Sequence, residues 1–240
     1  MVFTFVAHGD FKTQSTFIFL MAKKHYISNS GESVRMFKNN FLNSLTKVHY
    51  AVPLVFWIPV ILYFLWRAYA QGGIGAGSTA LYFAYGLAFW TLAEYVLHRW
   101  VFHYEPPGKL GKRLHFIFHG VHHDYPRDRM RLVMPLSASI PMAAVIYLLF
   151  SLFFSTFYLA GFFAGFLFGY LIYDECHYAI HHANFKSGFL KKIKDHHMLH
   201  HYSDPDKGFG VSSYFWDRIF GTMIPKKDKA SSPVTKQNEG

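Results

Sequence analysis

Leu132–Tyr173 reads LVMPLSASIPMAAVIYLLFSLFFSTFYLAGFFAGFLFGYLIY, 42 residues without one charged side chain. As a single helix it would run ~63 Å, about twice the 30 Å hydrocarbon core of a bilayer. One helix of that length does not fit, so the stretch is read as a tight hairpin of two spans turning near Ser151–Thr156. Burying such a pair inside a soluble protein would need a large polar shell. With 52% hydrophobic and 16% charged residues in 240, the chain cannot supply one.

A second uncharged stretch runs from Ala68 to Ala93. Around it two further spans are expected, Tyr50–Trp66 and Thr79–Leu97, joined by Gly72–Gly77. Arg67 can snorkel from the end of the first, and Pro53 and Pro59 are tolerable in a membrane helix. Ahead of them Val34, Phe37, Phe41, Leu45 and Val48 recur at three- and four-residue steps between Lys38, Asn39, Asn43 and Lys47. That pattern predicts an amphipathic helix within residues 28–50, lying in the membrane interface.

Residues 1–27 are expected to be a disordered extension, and 225–240 a disordered basic tail. Phe17–Ala22 is a short apolar run whose lysines, Lys23 and Lys24, follow it, the reverse of a secretory signal. Met21 reads as the true start, which makes residues 1–20 an upstream extension. Residues 51–224 are then one all-α membrane domain of four transmembrane helices, with a cytosolic histidine-rich helical cap.

The net charge is +10. Beside apolar runs of this length, a basic balance points to anionic lipid headgroups and away from nucleic acid. Six Lys and Arg precede the first span, seven fall between Arg99 and Arg131, and ten follow Asp174. The positive-inside rule then puts both termini and the central polar loop in the cytoplasm. A single cysteine, Cys176, excludes an internal disulfide framework and a cysteine-rich zinc site.

The sixteen histidines are the other anomaly. Four clusters stand out: His98-x4-His103, His119-x2-His122-His123, His177-x3-His181 and His197-x2-His200-His201. Positions i, i+3 and i+4 share a helix face, so each His-x-x-His-His is expected to present three imidazoles together. His98 and His103 lie about 140° apart on an α-helix and converge only if the helix ends or bends between them. Ten imidazoles exceed the needs of one ion, so two metals are the economical count. Imidazole suits iron, copper, nickel and zinc alike, but oxygen activation by iron on a lipid chain suits a membrane edge best. Isolated histidines such as His8, His25 and His49 read as ordinary surface or hydrogen-bonded residues.

Glu94 lies one turn before His98 at the end of a span, where a carboxylate is costly without purpose. It is expected to orient that imidazole, and Asp174 and Glu175 could act likewise beside His177. Tyr173 and Asp174, just before a cluster, are candidates for the mouth of a substrate channel.

These boxes resemble the fatty acid hydroxylase and sterol desaturase superfamily. Trp90–Arg99, Arg131–Pro135, Gly169–His177, Gly208–Val211 and Phe215–Thr222 bring the chain closest to fatty acid 2-hydroxylases, over about Leu45 to Ile224. The resemblance implies that the ten clustered histidines ligate two iron ions, which zinc can replace in isolated material, and that His115, His182 and His196 fall outside the ligand set. It also implies O2-dependent hydroxylation of a fatty acyl chain, at the 2-position of a fatty acid or of a sphingolipid acyl group. Eukaryotic 2-hydroxylases carry an N-terminal b-type cytochrome domain, for which the residues before the first span are too few. A separate electron donor is therefore expected, a b-type cytochrome or ferredoxin-like protein with its reductase. The same departure favours a bacterial inner membrane over an endoplasmic reticulum. A carotenoid or sterol-type oxidase of the superfamily would share the boxes. A histidine-rich metal transporter fits less well, because the span interiors are nearly free of ionisable groups.

Overall fold

The computed structural model describes residues 27, 28 and 30–225, and among them there is helix but no strand. The start at Met21, the extension up to residue 26 and the tail from residue 226 lie outside the described residues. In chain order the helices are α1 (Asn40–Ser44), α2 (Ala51–Trp66), α3 (Gly75–Val96), α4 (Gly108–His115), α5 (Val121–Asp124), α6 (Leu136–Ser151), α7 (Thr156–His182), α8 (Gly188–Tyr202) and α9 (Phe215–Ile219). Three of them continue as π-helical turns: α2 through Arg67–Gln71, α3 through Leu97–Phe102 and α4 through Phe116–Gly120.

The apolar run Leu132–Tyr173 divides as its length demands, with α6 ending at Ser151 and α7 starting at Thr156. α7 is buried on all sides through most of its length, Leu159–Leu167 without a break. Two glycine contacts explain how α3 approaches it so closely. A Cβ on Gly165 would sit 1.9 Å from the Phe83 carbonyl, and one on Gly86 would sit 1.8 Å from that of Phe162. Small residues at such crossings let two backbones touch, and dispersion and packing then hold the helices where apolar burial offers no advantage over lipid. Trp57 and Ile61 from α2 and Trp90 from α3 fill the remaining core against Phe163, Leu167 and Tyr170.

The opposite faces of these helices are apolar and open. Val55, Leu62 and Trp66 on α2, Leu81 and Tyr85 on α3, and Val145 and Leu148 on α6 all stand exposed. α2 and α3 with their π-turns, and α7, are long and apolar enough to cross a membrane. α6, at 16 residues, is equally apolar but shorter.

The amphipathic helix expected over Val34–Val48 does not form. Only Asn40–Ser44 is helical, capped by Asn39, whose side chain accepts from the Leu42 N–H. The rest is an irregular strap, because side chains outbid the helical ladder for its backbone. The Arg131 guanidinium donates to the carbonyls of Val34 and Thr46 and to the Thr46 hydroxyl, while its Nε pairs with Asp128 at 3.2 Å. Met36 N–H donates to Asn43, and Ser33 to Asp128. Of the residues in that spacing, Phe37 and Leu45 line a cavity and Val48 is buried, while Phe41 stands exposed.

Candidate metal centre

Ten histidines from the four clusters gather where α3, α7 and α8 end together. Their ring nitrogens form two groups, each with its atoms within 4.8 Å of one another. His98, His103, His119, His123 and His200 make the first, and His122, His177, His181, His197 and His201 the second. The groups lie side by side, the rings of His123 and His201 stacking at 4.3 Å.

Each His-x-x-His-His box is split between them, which corrects the expectation of three imidazoles on one face. On an α-helix i+4 lies about 40° to one side of i and i+3 about 60° to the other, so those two point about 100° apart. His119 and His123 therefore enter the first group while His122 enters the second. His197 and His201 enter the second while His200 enters the first. Each box thus straddles both groups. His98 and His103 meet because the helix widens to a π-turn over Leu97–Phe102, with the His103 N–H donating to the His98 carbonyl at 3.2 Å before the helix stops.

The distances fit cations. His98, His103 and His119 form a triangle of Nε2 atoms 3.1–3.2 Å apart, with His123 3.0 Å from His119 and His200 3.1 Å from His103. In the second group His197 Nε2 lies 3.0 Å from those of His177, His181 and His201. A neutral imidazole nitrogen carries either one hydrogen or one lone pair, so it cannot satisfy three such contacts. Imidazole binds transition ions at ~2.0–2.1 Å, which sets ligands at right angles ~3 Å apart. His122 is the plainest case: both ring nitrogens are buried with no hydrogen-bond partner. Burial first, and then the neighbouring imidazoles, hold His119, His122, His123, His197 and His201 well below the ordinary 6.5. Burial and His98 push His200 down to about 3. These rings are neutral at physiological pH, as ligation requires.

A loop behind the first group sets ring orientation. His98 donates through Nδ1 to the Phe209 carbonyl, and His200 through Nδ1 to the Lys207 carbonyl at 2.6 Å. With Nδ1 protonated, both Nε2 lone pairs must face the group's centre. The loop turns at Gly208, with φ +71°, and at Gly210, where a Cβ would lie 2.0 Å from the Ser213 carbonyl. Two buried carboxylates hold it. Asp217 accepts from the N–H groups of Phe209 and Gly210, at 2.9 and 2.8 Å, and from His196 and Thr222. Burial would raise its carboxyl, but the bonds from His196, Thr222 and Gly210 prevail and hold it below the ordinary 3.8.

Glu94 is the second carboxylate, and its partner is not His98. It accepts from the N–H groups of Val211 and Ser212, at 2.8 and 2.7 Å, and from the Ser212 hydroxyl. The direct bond expected along one helical turn is replaced because the Phe209 carbonyl occupies His98 Nδ1 first. Asp174 likewise does not reach His177: its oxygens take the Met134 N–H, at 3.0 and 3.2 Å, and the Tyr170 hydroxyl at 3.1 Å. Glu175 Oε1 is buried without a partner.

A cavity of about 320 Å³ opens beside the histidines. Tyr173 and Asp174 line it together with His119, His122 and His177, and the strap supplies Met36, Phe37, Leu42 and Leu45 to its wall. Phe102, Ile117, Phe118, Leu132, Val133 and Met134 make the rest of the wall largely apolar. His115, His182 and His196 belong to neither histidine group. Phe209 and Asp217 were not singled out from the sequence, although an aspartate inside Phe215-Trp-Asp-Arg-Ile-Phe220, among bulky apolar neighbours, was a signal available there.

Residues 83–222 match the fatty acid hydroxylase family. The ceramide very long chain fatty acid hydroxylase of Saccharomyces cerevisiae is 36% identical over 222 residues, 91% of this chain and 56% of that protein. The dihydroceramide fatty acyl 2-hydroxylase of Arabidopsis thaliana is 36% identical over 193 residues, 80% of this chain and 81% of the relative. A solved structure described as full-length Scs7p, with only the hydroxylase domain visible, superposes with a TM-score of 0.74 at 38% identity. It covers 80% of this chain and 73% of its own. The chain belongs to the fatty acid hydroxylase family. It spans little more than half the length of the yeast relative.

Proposed function

We propose that the chain hydroxylates a fatty acyl group at its 2-position, on a fatty acid or a sphingolipid, with O2 and two iron ions held by the ten histidines. The observation that carries this is the convergence of ten imidazole nitrogens into two sets of five at the end of an apolar cavity. The relatives named as 2-hydroxylases of fatty acyl and dihydroceramide chains support the position and the substrate class. Iron bound there would supply the O2 activation that hydroxylation of an acyl C–H bond requires.

The chain's own residues position and exclude. The wall formed by Phe102, Phe118, Leu132 and Val133 takes the acyl chain out of water and keeps water from the reacting carbon. Asp174 pins the backbone of Met134, which lines the same cavity as His177. Tyr173 closes the wall beside it, its ring 5.8 Å from that of His177.

Residues 51–224 form the catalytic unit in this proposal, with four spans and the histidines at the cytoplasmic edge. The exposed apolar faces of α2, α3 and α6 and the distribution of Lys and Arg support that placement. Zinc would occupy the same imidazoles in isolated protein, and electrons would arrive from a separate donor of the b-type cytochrome or ferredoxin-like class.

Expression in a host lacking hydroxylated fatty acids, grown under ¹⁸O2, tests the function by mass spectrometry of its lipids. The expected result is 2-hydroxy fatty acyl chains carrying one ¹⁸O, absent from a His122→Ala strain. Labelled sterols or carotenoids without labelled acyl chains would replace this function with another of the superfamily.

A further inference from the structure

The two histidine groups are alike in ligand count and unlike in what stands behind the ligands. In the first, His98 and His200 each donate Nδ1–H to a backbone carbonyl of the 207–209 segment. In the second, the Nδ1 atoms of His122, His197 and His201 are all buried without a hydrogen-bond partner, and His181 has a carbonyl in reach, that of Pro126. A carbonyl behind an imidazole fixes its tautomer, locks its ring and makes the coordinating nitrogen more basic. The first group has this support on two rings, whereas three rings of the second have none.

That support is built, not incidental. Phe209 is held from two directions, its N–H by Asp217 and its ring by packing against His98, His103 and His200, with centroids 5.9, 5.3 and 5.7 Å away. Glu94 fixes the next turn at Val211 and Ser212. The two carboxylates are fully buried, at 4% and 0% exposure, a cost repaid by the loop bonds they accept. Neither carboxylate touches a histidine of the two groups, and Asp217's only imidazole partner is His196, outside both groups. They are positioning residues, acting through the loop.

Granted the dinuclear function proposed for these histidines, we infer that the two groups hold their ions with unequal strength. The group of His98, His103, His119, His123 and His200 is the tighter, because Glu94 and Asp217 clamp the loop that anchors two of its rings. The ion among His122, His177, His181, His197 and His201 exchanges first.

The test uses full-length protein purified in detergent, loaded with Zn²⁺ and titrated with a chelator while bound zinc is measured. Repulsion between two adjacent cations would separate two release steps in any such site, so single-ion variants decide the matter. His122→Ala/His201→Ala protein should keep one ion about 10- to 100-fold more tightly than His103→Ala/His200→Ala protein keeps its own. Ser212→Ala removes one hydrogen bond to Glu94 and leaves the others in place. Added to each double variant, it should weaken the ion of the first group and leave that of the second unchanged. Equal affinities in the two double variants, the reverse order, or a Ser212→Ala effect on both ions or on neither would overturn the inference. Wild-type protein that never holds two ions would instead overturn the dinuclear function itself.

Discussion

At Glu94 a carboxylate near the end of an apolar helix marks a functional neighbourhood, but the neighbour is a loop 117 and 118 positions away. This changes what substitution does. Glu94→Gln keeps an oxygen for both backbone N–H groups and can donate to Ser212, so it should fold and bind metal nearly as well as wild type. Glu94→Leu leaves the buried Val211 N–H unpaired, at about 1–3 kcal/mol, together with the part-buried N–H and hydroxyl of Ser212. Its thermal unfolding in detergent should fall by several degrees, with weaker metal retention. Equal unfolding temperatures for the two variants would show that the loop does not depend on this side chain. His196 changes status too. Outside the ligand set, it is nonetheless buried and paired with Asp217 at 3.0 Å.

Among the elements, the strap of residues 33–48 departs most from its sequence pattern. Its apolar residues recur at helical steps, yet Arg131, buried and paired with Asp128, fastens it through Val34 and Thr46. Arg131→Ala removes one partner of a buried ion pair, which costs about 3–5 kcal/mol in comparable settings. Limited proteolysis should then cut within residues 34–46 at a rate wild type does not show, with loss of hydroxylase activity. Unchanged cleavage would mean that packing of Met36, Phe37 and Leu42 holds the strap without the arginine. The long apolar helices fared differently. α2, α6 and α7 start close to where uncharged runs and proline, glycine or serine punctuation place them, but α7 runs on through Asp174 and Glu175 to His182, and α2 and α3 continue as π-turns to Gln71 and Phe102. Their periodicity is satisfied locally, by the backbone ladder itself.

For the whole molecule, the basic-residue distribution predicts residues 71–78 outside and residues 105–130 in the cytoplasm. With Cys176 replaced by serine, a cysteine placed at Gly77 should react with a membrane-impermeant reagent added to intact cells, and one at Gly108 should not. Labelling of Gly108→Cys alone would invert the orientation.

Much of this protein was settled by sequence alone: an all-helical, apolar chain, an abundance of histidine at ligand spacing, and membership of a hydroxylase family. Apolar length and helical spacing are local properties, written in consecutive residues. The tertiary structure alone decided which imidazole joins which group, that a π-turn brings His98 to His103, and that Glu94 and Asp217 serve a loop. Which imidazole nitrogen keeps its lone pair for a metal, and where that lone pair faces, depends on where the ring's other nitrogen finds a hydrogen-bond acceptor. For His98 that acceptor is the Phe209 carbonyl, 111 residues along the chain, brought within reach only when α3 and α8 close around the same loop.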